Sequence, residues 1–168
     1  GDGETYNIPV EVIETRYGLF VDEYSLRADG AGAGEYRGGS GVVRTYRSLN
    51  NGNSFTGTFG RFKFLPWGMV EGKEGSRNMF EILKSDGSID GPYGKYARYP
   101  LNTGDAVKMS TASGGGYGNP FKRPIEKVVL DVKNEFVSIE QAKEDYGVII
   151  DPDTFKIISI SEERKNLQ

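Results

Sequence analysis

Three consecutive glycines, Gly114-Gly115-Gly116, followed by Tyr117-Gly118 and Asn119-Pro120, leave a stretch of main chain almost without Cβ atoms. Such a stretch reaches backbone conformations that other residues avoid, and it lets another chain or a ligand approach to main-chain distance. It also divides the sequence, with short strand-like segments and turns before it and two short helical patterns after it. Successive glycine N–H groups can surround an anion. No Gly-Lys-Ser/Thr follows, however, and Asn119-Pro120-Phe121 delays the next helix, so P-loop geometry is not expected here.

The chain of 168 residues is long enough for one well-filled domain and short for two. Only 36% of residues are hydrophobic, but 10 Tyr, 9 Phe and 1 Trp supply large units of buried area, so an aromatic-rich core is expected. A net charge of −3 lacks the electrostatic footprint of a nucleic-acid binder. No apolar run is long enough for a membrane span and no signal-like segment opens the chain, so neither a membrane nor secretion is expected and a soluble, cytoplasmic protein is. The absence of Cys and His excludes disulfides, thiolate nucleophiles, Ser-His-Asp triads and thiolate or imidazole zinc sites. The 24 acidic residues form no ligand-like cluster, so no metal site is assigned. The first residue is Gly1 rather than Met, as expected of a fragment, a processed product or a chain with a residual tag.

From Asn7 to Glu14, apolar and acidic residues alternate after Pro9, which predicts a half-exposed strand beginning at a sheet edge. Leu19–Leu26 is a second predicted strand. Asp29–Gly41 is loop by composition, and its Gly32-x-Gly34 start lacks the third glycine and the helix of a dinucleotide fingerprint. Val42–Leu49 and Ser54–Phe59 flank Asn50-Asn51-Gly52-Asn53, which predicts a hairpin or related reversal with local strand pairing. Arg61-Phe62-Lys63-Phe64 alternates cation and aromatic before Pro66-Trp67-Gly68. Trp67 is expected to cap one end of the core, the alternative being an aromatic wall of a ligand or partner site with Arg61 and Lys63 as anion contacts. Asn78–Leu83, Tyr96–Tyr99 and Ala106–Ser110 continue the pattern of short strands, with turns at Asp86-Gly87 and Asn102–Asp105, so residues up to Ser113 predict a sandwich or barrel-like unit.

Beyond the glycine run, Pro124 can open a helix whose Ile125, Val128, Val129 and Val132 form one apolar stripe. Ser138 and Gln141 match a capping box, with Gly147 as the stop of a helix over Ile139–Tyr146. Val148–Ile150 and Phe155–Ile158 surround Asp151-Pro152-Asp153-Thr154 as a terminal strand pair, and Ser161–Gln168 is polar, frayed or weakly helical. The fold class is therefore α+β: a mainly β unit over 1–113, then a glycine loop, two short helices and a tail over 114–168, packed together as one domain.

Several stretches in order resemble the C-terminal region of the hydantoinase B/oxoprolinase family, the B-type subunits of ATP-dependent hydantoinases and related carboxylases. They are Asn7–Glu14, Gly32–Arg44, Pro66-Trp67-Gly68, Gly104-Asp105, Gly114–Pro120, Val128–Val132, Val137-Ser138 and Asp145–Val148. Two departures stand out. Met69-Val70-Glu71-Gly72 replaces the family's Gly-Gly pair after Trp67-Gly68, and the segment at Asn50-Asn51-Gly52 leans towards the carboxylase-like members.

The resemblance implies a C-terminal part or small subunit of an assembly that couples ATP hydrolysis to opening a cyclic amide of the hydantoin or oxoproline kind. The alternatives are carboxylation of a ketone of the acetone or acetophenone kind, or a non-catalytic binding or scaffold module. The implied partners are the remainder of the B-type subunit and an A-type subunit that handles ATP. ATP and a divalent metal belong to the full complex, with no cofactor in this chain. Catalytic residues are not assigned. The candidates for binding or inter-subunit contact are Arg37, Arg44, Trp67 and Gly114, Gly115, Gly116, Tyr117 and Gly118, with the glycine run acting as a close-packing joint between the β unit and the helical tail. An independent enzyme ranks last, because no motif places a carboxylate pair.

Overall fold

A computed structural model describes residues 7–167. Five antiparallel strands form the main sheet in the order β1-β2-β7-β4-β5, comprising β1 (Leu19–Leu26), β2 (Val42–Ser48), β7 (Ala106–Ser110), β4 (Met79–Leu83) and β5 (Ile89–Tyr93). A two-stranded sheet of β3 (Asn53–Thr58) and β6 (Lys95–Leu101) lies against it. Between them sits an aromatic core of Phe80, Ile82, Tyr99, Leu101 and Val107, flanked by Phe55, Phe59, Tyr93 and Met109. The Phe55 ring meets Phe80 nearly edge-on at 4.9 Å, an arrangement favoured by the ring quadrupoles.

The strand expected over Asn7–Glu14 is instead a helix, α1 (Val10–Arg16). Pro9 fixes an extended entry (φ −54°, ψ 141°) and its carbonyl accepts from the amides of Val12 and Ile13. Glu11 in the first turn and Arg16 in the last complement the helix dipole. Ile13 is its buried side chain, and it shares a helical face with Val10 three residues earlier rather than with Val12. The Glu14 carboxylate then accepts from the Val21 amide at 3.1 Å, fastening the helix to β1.

The turn at Asn50–Asn53 is present, with Gly52 at φ 84°, but it is not a hairpin between paired strands. The partners of β2 are β1 and β7, and β3 pairs with β6. Ser48 donates to the Asn50 carbonyl, Asn53 donates to the Ser48 hydroxyl, and the Thr103 amide donates to Asn51. The corner so pinned carries the chain from one sheet to the other, where the partly buried Phe55 packs against the buried Phe80. Burial of an aromatic pair outweighs the local ladder that the turn residues favour.

A second core lies under the helices and contains Val128, Val132, Val137, Ala142, Tyr146, Val148 and Ile150, together with Ala33 from the loop after β1. In α2 (Ile125–Lys133) Val128 and Val132 are buried and Ile125 and Val129 partly so, as the stripe predicts. In α3 (Ile139–Tyr146) the Ser138 hydroxyl accepts from the Gln141 amide at 3.0 Å, but the reciprocal half of the capping box is spent elsewhere. The Ser138 amide donates to Asp29 at 2.6 Å and the Gln141 side chain to Asp145 at 3.1 Å, so this cap ties α3 to the β unit. Gly147 ends the helix at φ 65°. β8 (Val148–Ile150) pairs with β9 (Ile157–Ile160), and a last turn, α4 (Glu162–Lys165), buries Arg164 against the carbonyls of Tyr146 and Arg123.

Candidate functional site

Gly114–Gly118 runs as the middle rail between two other glycine-rich segments, residues 30–39 and 66–75. On one side the amides of Gly114 and Tyr117 donate to the carbonyls of Gly39 and Tyr36, both at 2.9 Å. On the other, the amides of Gly116 and Gly118 donate to Lys73 and Met69 at 2.9 and 3.0 Å, and the Met69 amide returns a bond to the Gly116 carbonyl at 2.9 Å. The outer rails also meet directly, the Lys73 amide donating to Ala33 at 2.7 Å. Main chain here touches main chain. A Cβ on Gly116 would overlap the Ala33 carbonyl, one on Gly115 the Trp67 carbonyl, and one on Gly32 the Lys73 carbonyl.

This packing explains why the sequence needs glycine in three places and what the run does chemically. The amides of Gly114, Gly116, Tyr117 and Gly118 are already committed to carbonyls, so the run presents no nest of free N–H groups to a phosphate. Sequence reasoning expected the run to join the β unit to the helical tail, whereas its hydrogen-bond partners are the two outer rails, of which residues 30–39 read as loop and 66–68 as the surroundings of Trp67. Their signal was the recurrence of dense glycine in three separated segments.

Above this lattice stand Tyr36, Trp67, Met69, Val70 and Tyr117, all exposed. Tyr36 and Tyr117 sit opposite each other, with ring centroids 6.2 Å apart. Trp67 is 66% exposed rather than capping the core. Its backbone is locked into the lattice while its ring points outward, carrying the Arg61 guanidinium at 4.9 Å from the ring centroid. Of the two cations expected beside an aromatic wall at Trp67, Arg61 stacks on the ring and Lys63 lines a separate cleft.

The two arginines singled out by sequence occupy different places. Arg37 lies under the lattice and ion-pairs with Asp131 at 3.3 Å. The same Asp131 oxygen also accepts from Arg123 Nε and Nη2 at 3.1 and 2.8 Å. Two guanidinium groups thus share one buried carboxylate where the lattice meets α2, and Arg123 also donates to the Glu35 carbonyl at 3.0 Å. Nearby, burial pushes the Tyr146 phenol up to about 12, so it stays neutral at ordinary pH. Lys73 on an outer rail pairs with Asp145 of α3 at 2.5 Å, a second clasp across the same seam.

Arg44 belongs elsewhere, on β2, with its guanidinium 4.6 Å from the Tyr24 ring centroid and 4.8 Å from that of Tyr46. One of its nitrogens reaches Asn7 at 3.4 Å; Nε and Nη2 are buried without a hydrogen-bond partner among the described residues.

Among the described residues no three acidic side chains converge as a metal ligand set. No helix of the described residues is long and apolar enough to cross a membrane.

Residues 1–120 match the hydantoinase B/oxoprolinase family. An uncharacterized protein of Methanocaldococcus jannaschii is 41% identical over 160 residues, covering 95% of this chain and 28% of that protein. The caprolactamase subunit beta of Pseudomonas jessenii is 37% identical over 149 residues, covering 84% of this chain and 25% of the subunit. The crystal structure of the ATP-dependent caprolactamase from that organism superposes over 95% of this chain and 27% of its own, with a TM-score of 0.78 and 29% identity. A nucleotide-free acetone carboxylase shares the fold over 95% of this chain and 25% of its own, with a TM-score of 0.72 at 17% identity. The chain therefore spans about a quarter of the length of these two curated relatives. The glycine-rich stretches that form the lattice's three rails, residues 30–39, 66–75 and 114–118, all lie inside the matched region, and the chain belongs to the hydantoinase B/oxoprolinase family.

Proposed function

We propose that this chain is a part of the B-type component of an ATP-dependent enzyme that opens cyclic amides. The observation that carries the reading is the 37% identity with the beta subunit of a caprolactamase over 84% of this chain. A lactam is a cyclic amide whose resonance-stabilised C–N bond resists water, which is why coupling to ATP suits the reaction. In this reading the three glycine-rich segments have an architectural role. They join into one rigid plate of main chain and display an apolar crest above it.

The crest supports an assembly role. Trp67 and Tyr117 are large apolar side chains held outward by a backbone that cannot shift, and exposed apolar clusters of this kind mark contact surfaces. In this reading Trp67 and Tyr117 contact the remainder of the B-type subunit, while Arg37 and Gly114, Gly115, Gly116 and Gly118 hold the contact in place from beneath. An A-type subunit handles ATP and its divalent metal.

The test is reconstitution. The isolated chain should release no phosphate from ATP. Joined to the rest of a B-type subunit and an A-type partner, it should support phosphate release that depends on an added lactam or hydantoin. Release that depends on a ketone with bicarbonate would instead favour the carboxylase reading, for which the shared fold is the supporting observation. No release with either set would leave a binding or scaffold module.

A further inference from the structure

Apart from the glycine lattice, the β unit carries a cleft of about 600 Å³ between the loop that follows β3 and the β5–β6 connection. Phe59, Phe62, Phe64 and Tyr93 line it, and Lys63 and Lys95 line it from the loop and from the start of β6. The floor is fixed. The Phe59 amide donates to the Gly94 carbonyl at 2.8 Å, and Phe59 and Tyr93 both pack on the buried Phe80 ring at 5.6 Å. Gly94 is buried because the Phe62 ring occupies the space where its Cβ would stand.

The charge around this cleft is unbalanced. Although the chain carries a net charge of −3, neither Lys63 nor Lys95 has a carboxylate within ion-pair distance among the described residues. Asp90 on β5, the strand that precedes Lys95, has one oxygen occupied by the Tyr93 hydroxyl and the other by the Tyr99 hydroxyl, each at 2.5 Å. An aromatic floor with two uncompensated ammonium groups matches a ligand with an apolar body and one negative end, and the cleft volume is that of a small-molecule site. We propose that this cleft binds a small carboxylate bearing an apolar ring, the ring against Phe59, Phe62 and Phe64 and the carboxylate between Lys63 and Lys95. The site is separate from the glycine lattice and stands whether or not the chain serves a cyclic-amide hydrolase.

The experiment is an amide NMR titration of the chain with phenylacetate, 2-phenylethanol and 2-phenylethylamine. Phenylacetate should shift the Gly94 and Lys95 amides saturably, and 2-phenylethanol should bind there about tenfold more weakly, with the amine weaker still. The double substitution Lys63→Gln, Lys95→Gln should remove that preference for the acid, and Phe64→Ala should weaken acid and alcohol together. All three side chains are exposed, Phe64 at 79%, so the variants should keep the dispersion of the parent spectrum and remain interpretable. Equal affinity for acid, alcohol and amine would overturn the proposal. So would shifts centred away from the cleft, no saturable shift, or a double variant that still prefers the acid.

Discussion

The aromatic interior between the two sheets and the glycine lattice are both tightly packed, yet they achieve it with opposite means. In the first, Phe55, Phe59 and Phe80 fill space with side chains whose rings can re-tilt, so the main chain stays at ordinary strand separations. In the second, three segments meet with nothing between them but carbonyls and amides. A side-chain core relaxes around a changed residue, at a cost set by the volume lost. A main-chain core has nothing to relax, because its contacts are the hydrogen-bonded groups themselves. The lattice is therefore the stiffer region, and its stiffness suits a platform for an exposed crest.

The contrast can be broken most directly at Gly116. Gly116→Ala places a methyl on the Ala33 carbonyl, and we expect a loss on the order of 4 kcal/mol or more in chemical denaturation. Gly39→Ala is the control: no atom lies within 4 Å of its added Cβ, and the change should fall within about 0.5 kcal/mol. Equal effects at the two positions, both within the lattice, would show that direct main-chain contact is not what makes it intolerant of a side chain.

At the seam, Asp131→Ala strands two partly buried guanidinium groups and should cost roughly 3 kcal/mol, measured the same way. In the β unit the charged residue to test is Asp105, 1% exposed and accepting the Ser85 and Asn102 amides, each at 2.9 Å. Burial opposes its ionisation, but those amides and the nearby Lys84 outweigh it and hold the carboxyl below its ordinary range. Its stabilisation is thus complete above the unfolded carboxyl's titration near pH 4 and is lost as pH falls through the lower folded value. Asp105→Asn should cost about 2 kcal/mol at pH 7 and flatten the acid limb of the stability profile.

Phe80→Leu tests the forgiving region, and about 1.5 kcal/mol is expected because neighbouring rings can close part of the gap. Trp67→Ala should change stability by less than about 0.5 kcal/mol, since the ring is exposed, while weakening assembly with the remainder of the subunit in a pull-down. An unaltered pull-down would detach the crest from the assembly role.

Local chemistry made much of the fold legible. The stripe at Ile125, Val128, Val129 and Val132, the Ser138 cap, the Gly147 stop and the strands at 19–26, 42–48, 79–83 and 106–110 all follow from periods and punctuation that act within a few residues. Asn7–Glu14 was misread because alternating and helical periods overlap over so short a run, and Pro9 can open either element. Trp67 was misread because burial is the default for tryptophan, and nothing local says that its backbone is held in a plate that turns the ring outward.

The sequence by itself determined that Gly114–Gly118 is a place where main chain can come very close to something, because a run without Cβ atoms leaves room for it. What comes close was decided by the tertiary structure. The partners are residues 30–39 and 66–75, tens of residues upstream, and a hydrogen bond such as Gly116 N–H to the Lys73 carbonyl leaves no trace in residue type, since every residue carries a carbonyl. The pairing of β3 with β6 rather than β2, and the sharing of Asp131 by Arg37 and Arg123, were likewise settled only when distant segments competed for the same interior.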